Sequence, residues 1–114
     1  MGGRIASQVV AQGVEVKGLV LFAYPLHPPG RPLQLRDQHL PAIKVPTFFC
    51  SGTSDAFASP DELGAAASRV RLSTFHVLKD ADHGFSAPKS SGRTREQVWA
   101  EATAALLAWL QATN

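Results

Sequence analysis

A nearly unbroken apolar run, residues 16–24 (VKGLVLFAY), constrains the fold more than any other stretch. Its length and its branched and aromatic residues predict a strand buried on both faces, as in a parallel sheet, with Pro25 at its end. Two further strands are predicted, residues 45–51 (VPTFFCS), stopped by Gly52, and a shorter one at residues 74–78 (TFHVL).

Helices are predicted between and around these strands. Apolar residues at helical spacing indicate an opening helix over residues 1–13 that is already under way at Met1. Ser59, Pro60 and Glu62 have the pattern of a capping box, which predicts a helix running to about residue 70. A second capping box introduces a final helix with one apolar stripe. That box is Thr94 and Gln97, and the stripe is Val98, Ala102, Ala105, Leu106 and Trp109.

Strands that alternate with helices predict an α/β fold with a parallel sheet of about three strands and flanking helices. The 114 residues fit a single domain, residues 1–114. The first strand is as apolar as a central strand, yet no upstream segment is present to pair with its other edge, and proteins avoid exposed apolar edges. We therefore expect a partial domain whose upstream strands precede Met1.

Composition excludes several classes of protein. The 11 Lys and Arg residues exceed the 9 Asp and Glu residues by only two and form no basic run, so no nucleic-acid partner is expected. No stretch is long and apolar enough to span a membrane. The single Cys50 lies in an apolar run, as a core residue would, and suits a reducing cytoplasm. No histidine pair has metal-ligand spacing, so neither a metal nor another cofactor is expected.

Two residues that follow successive strands suggest chemistry. Asp55, in GTSDAF, follows the second predicted strand, and His83, in DADHGF, follows the third. Sites in open α/β sheets form at the carboxyl ends of strands, where an acid can orient an imidazole. An acid and then a histidine, each after a late parallel strand, is the chain order of the α/β-hydrolases. Asp55 as a turn or capping residue is the plainer alternative.

The nucleophile in such enzymes is the serine of a G-x-S-x-G turn directly before a helix. MGGRIAS is typical of the residues after that serine, so we expect the serine just before Met1 and an oxyanion-hole amide at Met1. Within the chain, residues 52–56 (GTSDA) nearly match the motif, but the next helix signal starts only at Ser59, which argues against Ser54. Ser7 lies inside the predicted first helix and is placed worse still.

The stretches MGGRIAS, YPLHPPGRP, LRDQHL, VPTFFCSGTSDAF and DADHGF together resemble the dienelactone-hydrolase-like family of α/β-hydrolases. This group includes the testis-expressed-thirty protein and the third subunit of the NSL histone-acetyltransferase complex. The resemblance covers nearly the whole chain and is most specific in YPLHPPGRP. It implies the carboxyl-terminal half of the usual domain, with Asp55 as the acid and His83 as the catalytic histidine. The family's serine matches no residue here.

The predicted function is that of an α/β-hydrolase fragment from a serine hydrolase of esters or related acyl compounds, inactive by itself. The alternative is a non-catalytic interaction module or subunit, since the resemblance includes members of larger assemblies. The edge of the strand at residues 16–24 is then a docking or self-association surface.

Other polar residues have two interpretations each. His27 and His39, in the proline-rich loop, either line the substrate mouth or are structural. His76 is expected at the surface or packed on its strand, and Asp80 and Asp82 are expected to face water.

Overall fold

The computed structural model of the protein describes residues 7, 11, 18–27 and 38–113. Three parallel strands form one sheet in the order β1-β2-β3, where β1 is Leu19–Phe22, β2 is Thr47–Gly52 and β3 is Ser73–Leu78. Helix α1 (Pro60–Ala67) connects β2 to β3, and helix α2 (Arg95–Thr113) follows β3. Two 3-10 helices, Leu40–Ala42 and Lys89–Ser91, lie in the loops. The predicted α/β class, with about three parallel strands and flanking helices, is confirmed.

Strand β2 is the centre of the sheet, and all six of its residues are buried. Successive side chains of a strand point to opposite faces, so β2 serves two apolar cores. Phe49 packs on the α1 side with Leu63, whereas Phe48 and Cys50 pack on the α2 side with Val98. The result is a sheet covered by helices on both faces, as parallel sheets require.

Helix α1 begins as predicted. The Ser59 hydroxyl accepts from the Glu62 amide, and the Glu62 carboxylate accepts from the Ser59 amide. The helix ends at Ala67, three residues before the predicted end. Beyond that point the Arg69 and Val70 amides bond three residues back, to Ala66 and Ala67, which tightens the chain into turns.

Helix α2 also begins with its predicted capping box, in which the amide of each partner, Thr94 and Gln97, donates to the side chain of the other. Of the predicted stripe, Val98, Ala102 and Trp109 are buried. Ala105 and Leu106 are partly buried against the same core. This stripe fixes α2 over β2 and β3.

Strand β1 is shorter and less enclosed than predicted. It ends at Phe22 because Ala23 has a left-handed backbone (φ 51°). Val20 is 37% exposed, since α2 packs on β2 and β3 and leaves this face of β1 partly uncovered. The prediction that β3 is the shortest strand is wrong, because β3 has six residues and β1 has four.

Several predictions fall on residues outside the described ones. Of the opening helix, Ser7 and Ala11 are helical, whereas Met1 and Gly13 lie outside. The helical turn predicted near residues 35–40 overlaps the described chain only at its end, where the 3-10 helix starts at Leu40. In the described part of the chain, no helix has the length and apolar character needed to cross a bilayer.

Candidate active site

Asp55 and His83 meet above the carboxyl ends of β2 and β3. Nδ1 of His83 lies 2.9 Å from Oδ2 of Asp55 and 3.1 Å from Oδ1. The parallel direction of the two strands brings their loops to one edge of the sheet, which is why residues 28 positions apart are in contact. The prediction that the carboxylate and the imidazole lie within hydrogen-bonding distance is confirmed.

The Asp55 carboxylate has no exposed surface and is held by three donors. The Phe57 amide donates to Oδ1 at 2.8 Å, the Ser51 hydroxyl donates to Oδ2 at 3.1 Å, and His83 supplies the third donor. A carboxylate removed from water needs such partners, because desolvation without them is costly. Asp55 is therefore fixed in position and inaccessible to a ligand except through His83.

The His83 ring is more than one-third exposed and has one covered face. The Phe57 ring lies against it, with centroids 4.2 Å apart and planes inclined by 31°. Donation from Nδ1 to Asp55 leaves the lone pair of the neutral imidazole on Nε2, and no described residue hydrogen-bonds to that atom. This arrangement allows Nε2 to accept a proton while Asp55 stabilises the resulting imidazolium.

The loops that carry Asp55 and His83 are joined to each other by backbone contacts. A Cβ atom at Gly52 would lie 2.0 Å from the Ala81 carbonyl oxygen, so only glycine permits this approach. The Ser54 amide donates to the same Ala81 oxygen at 2.9 Å, and the Asp80 amide donates to the Thr53 hydroxyl at 2.8 Å. The distance between Asp55 and His83 is thus set largely by the backbone.

Asp82 organises the histidine loop. Its Oδ1 accepts from the amides of Gly84 at 3.0 Å and Ser86 at 2.9 Å, and its own amide donates to the Ser86 carbonyl. Asp82 is exposed, as predicted, but the expectation of a residue that only faces water missed this role. An aspartate two residues before a glycine is a turn signal that sequence alone could have revealed.

His83 borders an open cavity of about 320 Å³. Two of its lining residues, Ala23 and Phe85, have positive φ angles of 51° and 61°. Non-glycine residues adopt this conformation at an energetic cost, and such residues cluster at functional sites. The lining consists of Phe22, Ala23, His83, Gly84, Phe85, Arg95 and Trp99.

Neither histidine of the proline-rich loop lines that cavity. His27 is buried and its Nε2 donates to Oε1 of Glu62 at 2.9 Å. That hydrogen bond is the main reason why the pKa of Glu62 lies below its ordinary value. Nε2 of His39 lies 2.7 Å from the hydroxyl of Ser7, which is fully buried. These contacts favour the structural interpretation of both histidines.

Two candidate nucleophiles within the chain have unsuitable surroundings. Ser54 is exposed, but the helix after it begins only at Pro60, whereas the helix of a serine elbow begins directly after the nucleophile. Cys50 is fully buried, and burial, together with the charge of Glu101, raises the pKa of its thiol to about 12. Met1, the predicted oxyanion-hole residue, lies outside the described residues.

A second histidine–carboxylate pair, with both side chains partly exposed, lies away from this site. His76 of β3 donates from Nε2 to Oε2 of Glu101 on α2 at 2.6 Å. Arg93 donates to the other Glu101 oxygen at 2.6 Å and to the Lys79 carbonyl. These donors hold the pKa of Glu101 below its ordinary value, with His76 the larger cause. The cluster ties β3 to α2.

A family model described as an alpha/beta hydrolase domain matches residues 1–111, which is nearly the whole chain. The chain belongs to the alpha/beta hydrolases. This membership agrees with the chain order of the acid and the histidine and with the parallel sheet beneath them.

A solved structure similar to this α/β-hydrolase chain is the zinc-bound form of a cold-adapted esterase from an Arctic intertidal metagenomic library. The two superpose with a TM-score of 0.57 at 16% sequence identity, over 73% of this chain and 37% of the esterase. At this identity the likeness concerns the fold. Within the described parts of the present chain, no three His, Cys, Asp or Glu side chains gather as a metal site requires.

Three residues that shape the site carry no functional signal in the sequence: Ser51, Gly52 and Phe57. Ser51 and Phe57 hold Asp55, and Phe57 also covers His83. An aromatic residue two positions after an acid carries no signal of its own, because the ring's partner lies on another loop. The sequence predicts Gly52 as the residue that stops the second strand, whereas the structure includes it as the last residue of β2, in contact with the histidine loop.

Proposed function

We propose that this chain carries the acid and the base of a serine hydrolase that acts on esters or related acyl compounds. The observation that carries the proposal is the pair of a fully buried Asp55 carboxylate and an exposed His83 imidazole joined at 2.9 Å. Membership of the alpha/beta hydrolases supports the reaction class.

In the proposed reaction a serine directly ahead of Met1 attacks the ester carbonyl. Nε2 of His83 takes the hydroxyl proton as the new C–O bond forms, and Asp55 stabilises the imidazolium. The Met1 amide stabilises the oxyanion. His83 then returns the proton to the leaving alcohol as the old C–O bond breaks, and water releases the acyl group by the same steps.

We further propose that the chain is the carboxyl-terminal half of a domain of the dienelactone-hydrolase-like group. The support is the resemblance of the YPLHPPGRP stretch to that group; its residues Tyr24, Leu26 and His27 are buried. Leu26 and Tyr24 belong to the core on the α1 side, whereas His27 reaches the acid loop. The strands and loops that would complete the substrate pocket belong to the upstream half.

The test extends the chain by the residues encoded in frame ahead of Met1 and measures hydrolysis of 4-nitrophenyl acetate. If those residues end in Gly-x-Ser, turnover should appear and should depend on that serine, on His83 and on Asp55. Removal of one member of such a triad costs on the order of 10⁴-fold in rate. The unextended chain should not exceed its own His83→Ala variant.

His76→Ala is the matched control, because it also removes a histidine paired with a carboxylate but lies outside the site. Its turnover should equal that of the extended parent. Turnover by the unextended chain that is lost in Ser54→Ala would place the nucleophile inside the chain and refute the proposal. A stop codon directly ahead of Met1 would also count against it.

The alternative is a non-catalytic module that docks or self-associates through β1. One observation favours it: in the described part of the chain β1 pairs only with β2, and Val20 is exposed. Size-exclusion chromatography of the extended protein would distinguish the two, because the upstream strand of a hydrolase covers the β1 edge, whereas the module keeps that edge open. A concentration-dependent dimer that is lost in Val20→Lys supports the module, and a monomer at all concentrations counts against self-association.

A further inference from the structure

The backbone of Phe57 is held through both its N–H and its carbonyl by groups from different parts of the chain. Its N–H donates to Oδ1 of Asp55 at 2.8 Å, and its carbonyl accepts from the His27 amide at 3.0 Å. Its ring covers His83. Movement of this one residue would therefore disturb both the acid and the base.

His27 is anchored in turn by Glu62. The buried imidazole donates from Nε2 to Oε1 of Glu62 at 2.9 Å. The same oxygen accepts from the Ser59 amide at 2.9 Å, which closes the start of α1. The loop after β1 and the start of α1 are thus bonded to each other, and the His27 amide bonds this unit to the acid loop at Phe57.

We propose that His27 is a positioning residue, which with Glu62 sets the geometry of the Asp55–His83 pair through Phe57. This inference rests on the proposed function for its effect on turnover, but its effect on His83 does not require activity. A histidine whose Nδ1–H is held by a carboxylate keeps the proton on Nδ1, whereas a loosened ring loses that preference.

Two substitutions of His27 provide a matched pair. His27→Gln places an amide N–H near the position of Nε2 and keeps a donor for Glu62. His27→Asn carries the same amide group but is one methylene shorter and cannot reach Glu62. The two variants differ in reach and share their chemistry, so restoration by Gln separates positioning from a general need for histidine.

Substitutions of Glu62 test the same contact at a more exposed position, and they keep the proposal testable if the variants of the buried His27 do not fold. Glu62→Ala removes the His27 contact and breaks the capping box. Ser59→Ala also breaks the capping box but leaves the His27 contact in place. Both variants lose the capping box, whereas the contact to His27 is lost only in Glu62→Ala, so the comparison separates positioning from loss of the cap.

The readouts are the ring-nitrogen NMR signals of His83 in the unextended chain and the kcat and KM of the extended protein. We expect His27→Asn and Glu62→Ala to shift His83 away from the Nδ1–H form and to lower kcat about 10- to 100-fold with KM nearly unchanged. His27→Gln and Ser59→Ala should retain both signals and rates.

An unchanged His83 signal in folded Glu62→Ala would overturn the inference, as would an equal shift in Ser59→Ala. Failure of the proposed function looks different. In that case the His83 signal responds to the His27 variants as expected, but the extended protein shows no serine-dependent turnover.

Discussion

Two histidine–carboxylate pairs of this chain have opposite patterns of burial. In the Asp55–His83 pair the acid side chain is fully buried and the imidazole is 36% exposed. In the His27–Glu62 pair the imidazole side chain is 6% exposed and the acid is 32% exposed. The hydrogen bonds are equally short at 2.9 Å, so distance does not distinguish the pairs.

Which partner of the pair is buried decides what that pair is able to do. A buried acid directs an exposed imidazole outward, where its free nitrogen is able to meet a substrate. A buried imidazole on an exposed acid has no route to a substrate and instead joins two segments of the chain. Proximity of an acid and a histidine is therefore weak support for catalysis until the burial of each partner is known.

The largest contrast is expected when the charge of each acid is removed in the extended protein. Asp55→Asn should lower kcat/KM by on the order of 10⁴-fold, because the amide no longer stabilises the imidazolium. Glu62→Gln keeps an oxygen acceptor for His27, and its effect should stay within about tenfold. Steady-state ester hydrolysis measures both. Equal losses in the two variants would show that the burial pattern does not separate their roles.

The second prediction disturbs the loops of the first pair and spares the second pair. Gly52→Ala places a methyl group against the Ala81 carbonyl and should lower the free energy of unfolding by at least about 3 kcal/mol. Gly64→Ala, within α1, is the matched control, since the added Cβ would lie at an ordinary contact distance of 3.8 Å from the Phe75 ring. It should be neutral or stabilise the protein by up to about 1 kcal/mol. Urea unfolding tests both, and an unaffected Gly52→Ala protein would contradict the loop contact.

A third prediction concerns pH and the second pair. The pKa of Glu62 is lowered in the folded protein from its ordinary value of 4.5, chiefly by the His27 hydrogen bond. The resulting stability is therefore present above pH 4.5 and is lost as the pH falls through the lowered pKa. Glu62→Gln should be less stable than the parent at pH 7, by at most about 1 kcal/mol, with the gap closing toward pH 3. A gap that widens on acidification would reverse the assigned sign.

The smallest effect is expected at the third pair, His76–Glu101, in which both side chains are exposed by more than one-third. His76→Ala should change the free energy of unfolding by less than about 1 kcal/mol, because exposed ion pairs contribute little. What effect exists should shrink in 1 M NaCl, where charges are screened. A larger, salt-independent loss in urea unfolding would mean that His76 contributes by packing.

Elements with local signals could be predicted from the sequence, and long-range pairings could not. The capping boxes at Ser59 and Thr94 mark the starts of α1 and α2 to the residue. The apolar runs mark the strands, although the left-handed backbone of Ala23 that ends β1 has no signal in an alanine. The Asp55–His83 contact followed from strand direction. That Glu62 pairs with His27 did not, because the chain has four histidines and nine acidic residues and only tertiary packing selects among them.

The alkylation rate of the buried Cys50 thiol is a measure of local opening in this protein. A thiol with a pKa of about 12 and no exposed surface does not react with alkylating reagents while β2 is covered by α2. Labelling at neutral pH must therefore wait until the helix lifts from the strand and the thiol regains its ordinary acidity. The rate of alkylation then counts openings of the layer that supports the Asp55 loop.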